Sequence, residues 1–183
     1  MTPTLLVLLG CSFVEPPQPP VELDPAQDVL DRIDARRERM QETDAGAELW
    51  RSIDAHGGLL RYERVGPWTA HLADGRTIPP GDPVHDALSA PFSWVDSPMA
   101  DTSPSRGDTV VVRTAEGRRI DLDPVDRSLR SWSDDLGIRE VVATRTVQGV
   151  ALITELVLPD GTHVVVQRWE PADPLPGWPL DEG

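Results

Sequence analysis

The residues whose types could do chemistry are few and widely spaced. The histidines show neither the H-x₃-H nor the H-E-x-x-H spacing of zinc sites; they are His56, His71, His85 and His163. No serine lies in a G-x-S-x-G nucleophile elbow, and no G-x-x-x-x-G-K-[ST] phosphate loop occurs. We therefore expect no metal, no cofactor and no catalytic site. An enzyme becomes the better hypothesis only if the fold gathers His71 or His163 with several carboxylates in one cleft.

Three aspartates, Asp121, Asp123 and Asp126, form the densest cluster of potential metal ligands. Carboxylate oxygens can hold calcium, but an EF-hand loop needs more ligands in a fixed order and a central glycine. This segment lacks both. The Asp123-Pro124 pair is typical of a turn, so we interpret the cluster as a strand end that runs into a turn. His56 is interpreted as a structural residue near a helix C-terminus, where the helix dipole favours a cation.

Cys11 is the only cysteine, so it can form no disulfide within the chain. It ends the segment Leu8-Leu9-Gly10-Cys11, which resembles the lipobox of bacterial lipoproteins. The resemblance implies cleavage between Gly10 and Cys11, acylation of the Cys11 thiol and of the new N-terminus, and stable anchoring by several acyl chains. Ser12, in place of the aspartate of inner-membrane retention signals, implies sorting to the periplasmic face of the outer membrane.

The apolar run from Leu5 to Leu9 is too short to cross a hydrocarbon core of about 30 Å, which takes about 20 residues. It fits the apolar centre of a secretory signal peptide, although residues 1–4 lack the usual positive charge. Either the true start lies upstream or the leader is atypical. The alternative interpretation is a buried N-terminal strand in which the thiol is inert.

Charge and proline content bound the partners and the domain organisation. The chain has 31 acidic and 17 basic residues, and its net charge of −14 argues against binding to nucleic acid or docking onto anionic lipid. Its 19 prolines are concentrated toward the two ends, where a packed core is not expected. We predict a signal peptide over residues 1–10, a proline-rich tether over 11–24, a folded domain over 25–169 and a proline-rich tail over 170–183.

The predicted domain begins with helices. Asp24-Pro25 offers a helix N-cap followed by proline at the first helical position, and apolar residues then recur at helical spacing as far as Met40. Residues 43–46 interrupt this pattern. A second helix follows over residues 47–53, and Gly57-Gly58 supplies the left-handed conformation that closes a helix.

From Trp68 onwards the pattern changes to the alternation of strands. It predicts a hairpin over residues 69–78 with a type I′ turn at Asp74-Gly75, a second strand pair over 109–123 and a three-stranded meander over 140–169. The connecting segments are predicted as loops over 79–83 and 97–107 and one helical turn over 84–88. The sequence therefore predicts an α+β fold in which N-terminal helices pack on an antiparallel sheet.

Two segments, 55–59 (AHGGL) and 91–96 (PFSWVD), and the order of helices and strands resemble periplasmic proteins similar to the LolA/LolB lipoprotein carriers. The resemblance spans residues 47–169. It implies an incomplete, open antiparallel barrel wrapped around helices, with an apolar cavity able to hold acyl chains. The short interval between Gly58 and Pro91 leaves room for two or three strands, so the cavity could be truncated, filled by side chains or absent.

The chain has six tryptophans but only one tyrosine and two phenylalanines. Their spread over different predicted elements is typical of core anchors; the alternative is a ligand cleft lined by Trp50, Trp68, Trp94 and Trp132. Trp178, in the predicted tail, could dock as part of an extended peptide. Two functional hypotheses follow. The first is a membrane-anchored lipoprotein that binds an apolar ligand, a lipid or acyl chain, and the second is a structural lipoprotein whose partner is another envelope protein.

Overall fold

The helices occupy the first part of the described chain. The computed structural model describes residues 25–103 and 109–172. The helices are α1 (Pro25–Gln41), α2 (Asp44–Ala55), α3 (Gly58–Val65) and α4 (Pro83–Leu88), with a short 3-10 helix at Phe92–Trp94. The predicted signal peptide with Gly10, the tether with Cys11, and Trp178 lie outside the described residues.

The first helix begins where the sequence predicts, and the second begins three residues earlier than predicted. α1 starts at Pro25 and buries Val29, Ile33 and Met40, which lie at helical spacing on one face. A break between the two helices is present, but it covers only residues 42–43 and not 43–46 as predicted, because Thr43 caps a helix that already starts at Asp44. The Thr43 hydroxyl accepts a hydrogen bond from the Gly46 N–H at 3.0 Å, which satisfies one of the free N–H groups at the start of α2.

Gly57 brings the helices into backbone contact with the sheet. Its φ of +107° lies in the left-handed region, and a Cβ atom there would come within 2.2 Å of the Gly149 carbonyl oxygen. Beside it, the Ala151 N–H donates to the His56 carbonyl at 2.9 Å. The glycine pair does close α2, as predicted, but α3 starts directly at Gly58, and this third helix was not predicted.

In the described part of the chain, nine antiparallel strands form one open sheet with the order β2-β1-β9-β8-β7-β6-β5-β4-β3. They are β1 (Trp68–Leu72), β2 (Thr77–Ile78), β3 (Met99–Ser103), β4 (Val110–Thr114), β5 (Arg119–Leu122), β6 (Leu129–Asp134), β7 (Gly137–Val147), β8 (Val150–Val157) and β9 (His163–Pro171). β2 and β3 lie at the two edges, so the sheet does not close within the described residues. The predicted α+β class, with helices against an open antiparallel sheet, is confirmed.

The core lies between the helices and the inner face of the sheet. β1 shows the alternation that creates this face, because Trp68, Ala70 and Leu72 are buried while the residues between them are partly exposed. Leu49 and Ile53 of α2 are fully buried in the same core. The sheet therefore has a covered inner face and a largely solvated outer face.

The type I′ turn predicted at Asp74-Gly75 is wrong. Among the described residues only Arg127 and Gln148 combine a positive φ with a side chain, whereas a type I′ turn needs positive φ at both central positions. Instead, the Gly75 N–H donates to the Leu72 carbonyl and the Leu72 N–H donates to the Arg76 carbonyl. This is the pattern of a type I turn followed by a glycine bulge.

Two strands were missed, and one boundary was misplaced. β3 lies inside the segment predicted as a loop over 97–107, because its sequence MADTS lacks the branched apolar residues that mark strands. β6 has only Leu129 and Trp132 buried, and their spacing of three does not alternate. β9 continues to Pro171, so the first two residues of the predicted tail belong to the sheet.

Candidate functional site

The four tryptophans proposed to line a cleft lie in four different elements. Trp50 belongs to α2, Trp68 to β1, Trp94 to the 3-10 helix and Trp132 to β6, and all four are buried. The structure brings Trp94 and Trp132 together, with ring centroids 5.3 Å apart and planes at 70°. Trp68 instead packs against Trp169 at 6.5 Å. The tryptophans therefore belong to separate parts of the core.

One part is a closed cluster, defined by Tyr62, Trp68, His85, Phe92 and Trp169. Tyr62 stacks on Phe92 at 4.4 Å and on Trp68 at 5.9 Å. Both indole N–H groups are used, since Trp68 donates to the Tyr62 carbonyl at 2.9 Å and Trp169 donates to the Ile153 carbonyl at 3.0 Å. The closed cluster fills the inner face of β1 and β9 with satisfied aromatic side chains.

Burial shifts the pKa of two groups in the closed cluster. Desolvation raises the pKa of Tyr62 to about 12, against a smaller opposing effect of the Ser89 hydroxyl. Desolvation also lowers the pKa of His85, although its hydrogen bond to the Trp68 carbonyl opposes the shift. Because that carbonyl is an acceptor 3.0 Å from Nε2, the neutral His85 ring carries its proton on Nε2.

The other part lies beside α4, at the ends of strands in the middle of the sheet. There a groove of about 470 Å³ runs between α4 and the ends of β7 and β8. This mouth groove is lined by Pro83, Val84, Ala87, Leu136, Arg139, Leu158, Pro159 and Asp160. Most of its lining is apolar, and Leu136 is 75% exposed although it is a large apolar residue. Grooves of this volume, largely apolar with a few polar groups, are typical of small-molecule sites.

A second cavity, of about 310 Å³, adjoins the mouth groove and shares Pro83, Ala87 and Arg139 with it. This arginine pocket is more polar, and its further lining includes Asp86, Ser93, Trp94, Arg118, Trp132 and Asp134. Two guanidinium groups cover the tryptophan pair. The Cζ atom of Arg118 lies 5.3 Å from the Trp94 ring centroid, and that of Arg139 lies 6.0 Å from the Trp132 centroid.

The two arginines differ in their partners. Nη1 of Arg139 lies 2.9 Å from Asp134 Oδ2, as an ion pair that lacks the alignment of a hydrogen bond. Burial raises the pKa of Asp134, but Arg139 and the Leu136 N–H, 2.9 Å from Oδ1, outweigh this and keep the pKa below its ordinary value. Asp134 is therefore ionised at neutral pH. For Arg118, the buried Nε has no hydrogen-bond partner among the described residues.

The histidines named as possible catalytic residues each face a single carboxylate. Nε2 of His71 lies 2.6 Å from Glu170 Oε2, and Nε2 of His163 lies 2.8 Å from Glu155 Oε1. His163 is solvent-facing, as predicted. His56 caps the C-terminus of α2, with Nδ1 2.7 Å from the Ser52 carbonyl. The cleft with several carboxylates that would favour an enzyme does not form around His71 or His163 in the described part of the chain.

The aspartate cluster serves a turn. Asp123 accepts hydrogen bonds from the Val125 N–H at 2.7 Å and the Asp126 N–H at 3.2 Å, and Asp126 accepts one from the Ser128 N–H at 2.8 Å. The Val125 N–H and then the Arg130 side chain lower the pKa of Asp123, and the Ser128 hydroxyl and then the Ser128 N–H lower that of Asp126. Within residues 25–103 and 109–172, histidine and carboxylate side chains form no group of three that could hold a metal ion.

Sequence reasoning missed Arg118, Arg139 and Leu136. Arg118 and Arg139 are two of seventeen arginines, and their meeting depends on the pairing of β5, β6 and β7. Leu136 did carry a signal, because a leucine between Asp135 and Gly137 places a large apolar side chain in a turn.

Comparison of the chain with models of protein families, with curated proteins and with solved structures finds no match. The geometry of the site itself therefore carries the functional argument. Among the described residues, the helices are too short or too polar to span a bilayer.

Proposed function

We propose that this protein is a membrane-anchored envelope lipoprotein that binds an apolar ligand, such as a lipid or acyl chain, in the mouth groove between α4 and the ends of β7 and β8. The observation that carries the ligand part is the mouth groove, about 470 Å³ in volume and lined mainly by apolar side chains. The proposed anchor is the acylated Cys11. The proposed role is non-catalytic.

The mouth groove is a better site than the space under the sheet. Under the sheet, Trp68, His85, Phe92 and Trp169 of the closed cluster are buried, and the partly buried Tyr62 packs against them. An acyl chain there would have to displace close-packed aromatic rings, at a large cost in lost contacts. At the mouth, Leu136 and Pro159 are exposed to solvent, so a ligand would remove apolar surface from water without unpacking the core.

The groove is tested by the binding of a fluorescent fatty-acid analogue to the full chain. Leu136→Asp places a charge in the lining, and we expect it to weaken binding about tenfold or more. The matched control is Val125→Asp, since Val125 is 90% exposed and lies in the β5–β6 turn, at the other end of β6 from Leu136. Equal binding by both variants and the unaltered chain would refute this location, and no binding by any of them would refute the ligand.

The anchor is tested by metabolic labelling with a fatty-acid analogue. We expect label in the unaltered chain and none in Cys11→Ser, because the acyl groups of a lipoprotein are attached at its cysteine. Equal labelling of the two chains would overturn the lipoprotein proposal and leave the groove proposal untouched.

One observation favours the second candidate, a structural lipoprotein with a protein partner. The outer face of the sheet carries exposed apolar residues, Ile138 and Val142 on β7 and Val165 on β9, and β8 lies between these two strands. Exposed apolar residues that lie together are typical of interaction surfaces. Site-specific crosslinking from position 142 in cells would favour this candidate if it captured one defined envelope protein while the fatty-acid analogue failed to bind.

A further inference from the structure

We infer that the ligand of the mouth groove is a long-chain carboxylate whose head group is held by Arg118 and whose chain lies along the groove. This inference rests on the proposed function, and it adds the chemical class of the ligand. Three observations carry it: the state of the Arg118 guanidinium, the balance of charge in the arginine pocket, and the continuity of the two cavities.

Arg118 has hydrogen-bonding capacity that the described protein groups leave unused. Its Nε is buried and has no hydrogen-bond partner among the described residues, while its guanidinium lies over the Trp94 ring. A buried donor without a partner is unfavourable. A carboxylate fits the planar fork of a guanidinium with two parallel N–H···O bonds. The stacking on Trp94 fixes the plane of the Arg118 guanidinium, and a carboxylate head group would bind in that plane.

The charge balance of the pocket favours one negative charge. Arg139 is 13% exposed and is already neutralised by Asp134 at 2.9 Å. The other carboxylate in the lining, Asp86, is 63% exposed, so water screens it. Asp134 also attracts Arg118, but the structure gives it a close ion pair with Arg139 only, so Arg118 is the lining cation that a ligand carboxylate could pair with directly. A singly charged carboxylate balances it, whereas a doubly charged phosphate would leave a net negative charge close to Asp134.

The two cavities adjoin, so one ligand can place its head group in the arginine pocket and its chain in the mouth groove. Pro83, Ala87 and Arg139 line both the arginine pocket and the mouth groove. A carboxylate at Arg118 would thus continue into a chain that passes Ala87 and covers the apolar side chains of Val84, Leu136 and Leu158. The arrangement has the polarity of an amphiphile, polar at one end and apolar along the rest.

The test compares dodecanoate with dodecanol, which has the same chain and no charge. Displacement of the fluorescent fatty-acid analogue measures both, on the full chain with Cys11→Ser so that no acyl groups of its own compete. We expect dodecanoate to bind about tenfold more tightly than dodecanol. Arg118→Gln should remove this preference without weakening dodecanol, and Arg118→Lys should retain part of it. Arg119→Gln is the matched control, because Arg119 is exposed and pairs with Asp121 at 2.9 Å.

The outcomes separate this inference from the proposed function. If the two ligands bind equally, or if Arg118→Gln weakens both alike, the head-group assignment is overturned while the groove still binds apolar chains. If neither ligand binds, the proposed function fails and this inference fails with it. Loss of the preference in Arg119→Gln as well would also overturn the assignment, since it would reflect overall charge.

Discussion

The closed cluster and the arginine pocket are built on the same contact, an edge-to-face pair of tryptophans, but the surroundings of the two pairs differ. Each contains a pair of tryptophans in edge-to-face contact, Trp68 with Trp169 at 83° and Trp94 with Trp132 at 70°. In the closed cluster the rings are covered by Tyr62 and His85, and both indole N–H groups bind backbone carbonyls. In the arginine pocket the rings are covered by two guanidiniums.

The side chains that cover each tryptophan pair determine the role that the pair can have. Aromatic and backbone partners exclude water and leave no donor free, so the closed cluster contributes to stability. The guanidiniums are charged and rich in donors, so they cover the Trp94–Trp132 pair while they place N–H groups in the lining of a cavity. The same aromatic contact thus lies in a closed core in one region and in the lining of a cavity, the proposed recognition surface, in the other.

We expect the largest difference between the two regions when one tryptophan of each pair is replaced by alanine. Trp68→Ala should reduce the free energy of unfolding by about 3–5 kcal/mol, because it opens a cavity in packed surroundings. Trp132→Ala should cost less, since water and the Arg139 side chain can enter the space from the arginine pocket. Both tryptophans are buried, 1% and 3% exposed, so initial burial does not explain a difference.

Guanidinium-induced unfolding followed by far-ultraviolet circular dichroism measures both losses. Equal losses, or a greater loss in Trp132→Ala, would show that the arginine pocket is as rigid as the closed cluster and would remove the physical distinction between them.

The pKa of Tyr62 measures directly how far water is excluded from the closed cluster. It is the only tyrosine, so phenolate absorbance comes from one group. Burial raises its pKa from 10.0 to about 12, and we expect an absorbance midpoint near that value. Because the folded pKa is the higher one, the contribution of Tyr62 to stability is complete below pH 10 and is lost as the pH rises through about 12. A midpoint near 10 in the folded protein would show that water reaches the ring.

His85 allows the same closed cluster to be tested at acidic pH. Its pKa is lowered from 6.5 by burial, so the unfolded chain binds a proton more readily than the folded one. Stability is therefore complete above pH 6.5 and falls as the pH drops from 6.5 through the folded pKa. We expect the unaltered chain to lose more stability than His85→Gln between about pH 7.5 and pH 5.5. Parallel pH profiles for the two chains would contradict a neutral, buried His85.

The closed cluster was partly visible in the sequence because its members lie on regular elements. The alternation after Trp68 predicts a hairpin over 69–78, Trp68 itself is predicted as a core anchor, and the meander over 140–169 predicts β9 with Trp169. α3, which supplies Tyr62, was missed because Gly57-Gly58 was interpreted only as a helix end. A local stop signal does not exclude a new start one residue later.

The arginine pocket could not be predicted in the same way. It depends on β6, a strand with two buried residues and a bulge in its pairing with β5. Without β6, the sequence does not predict that Trp132 and Asp134 lie near α4 and Trp94. The site is therefore a product of long-range pairing, and the periodicity of single segments does not encode it.

The smallest expected effect separates recognition from stability within the arginine pocket itself. Arg118→Gln should lower the free energy of unfolding by less than about 1 kcal/mol, because it removes one cation–π contact and no ion pair to a carboxylate. Arg139→Gln should cost more, since it leaves the partly buried Asp134 without its partner at 2.9 Å. Thermal or guanidinium unfolding of both variants beside Arg119→Gln gives the comparison. A large loss in Arg118→Gln would make Arg118 part of the packing, like the rings of the closed cluster. A small one would mean that the guanidinium over Trp94 contributes little to folding, as expected of a group kept for binding.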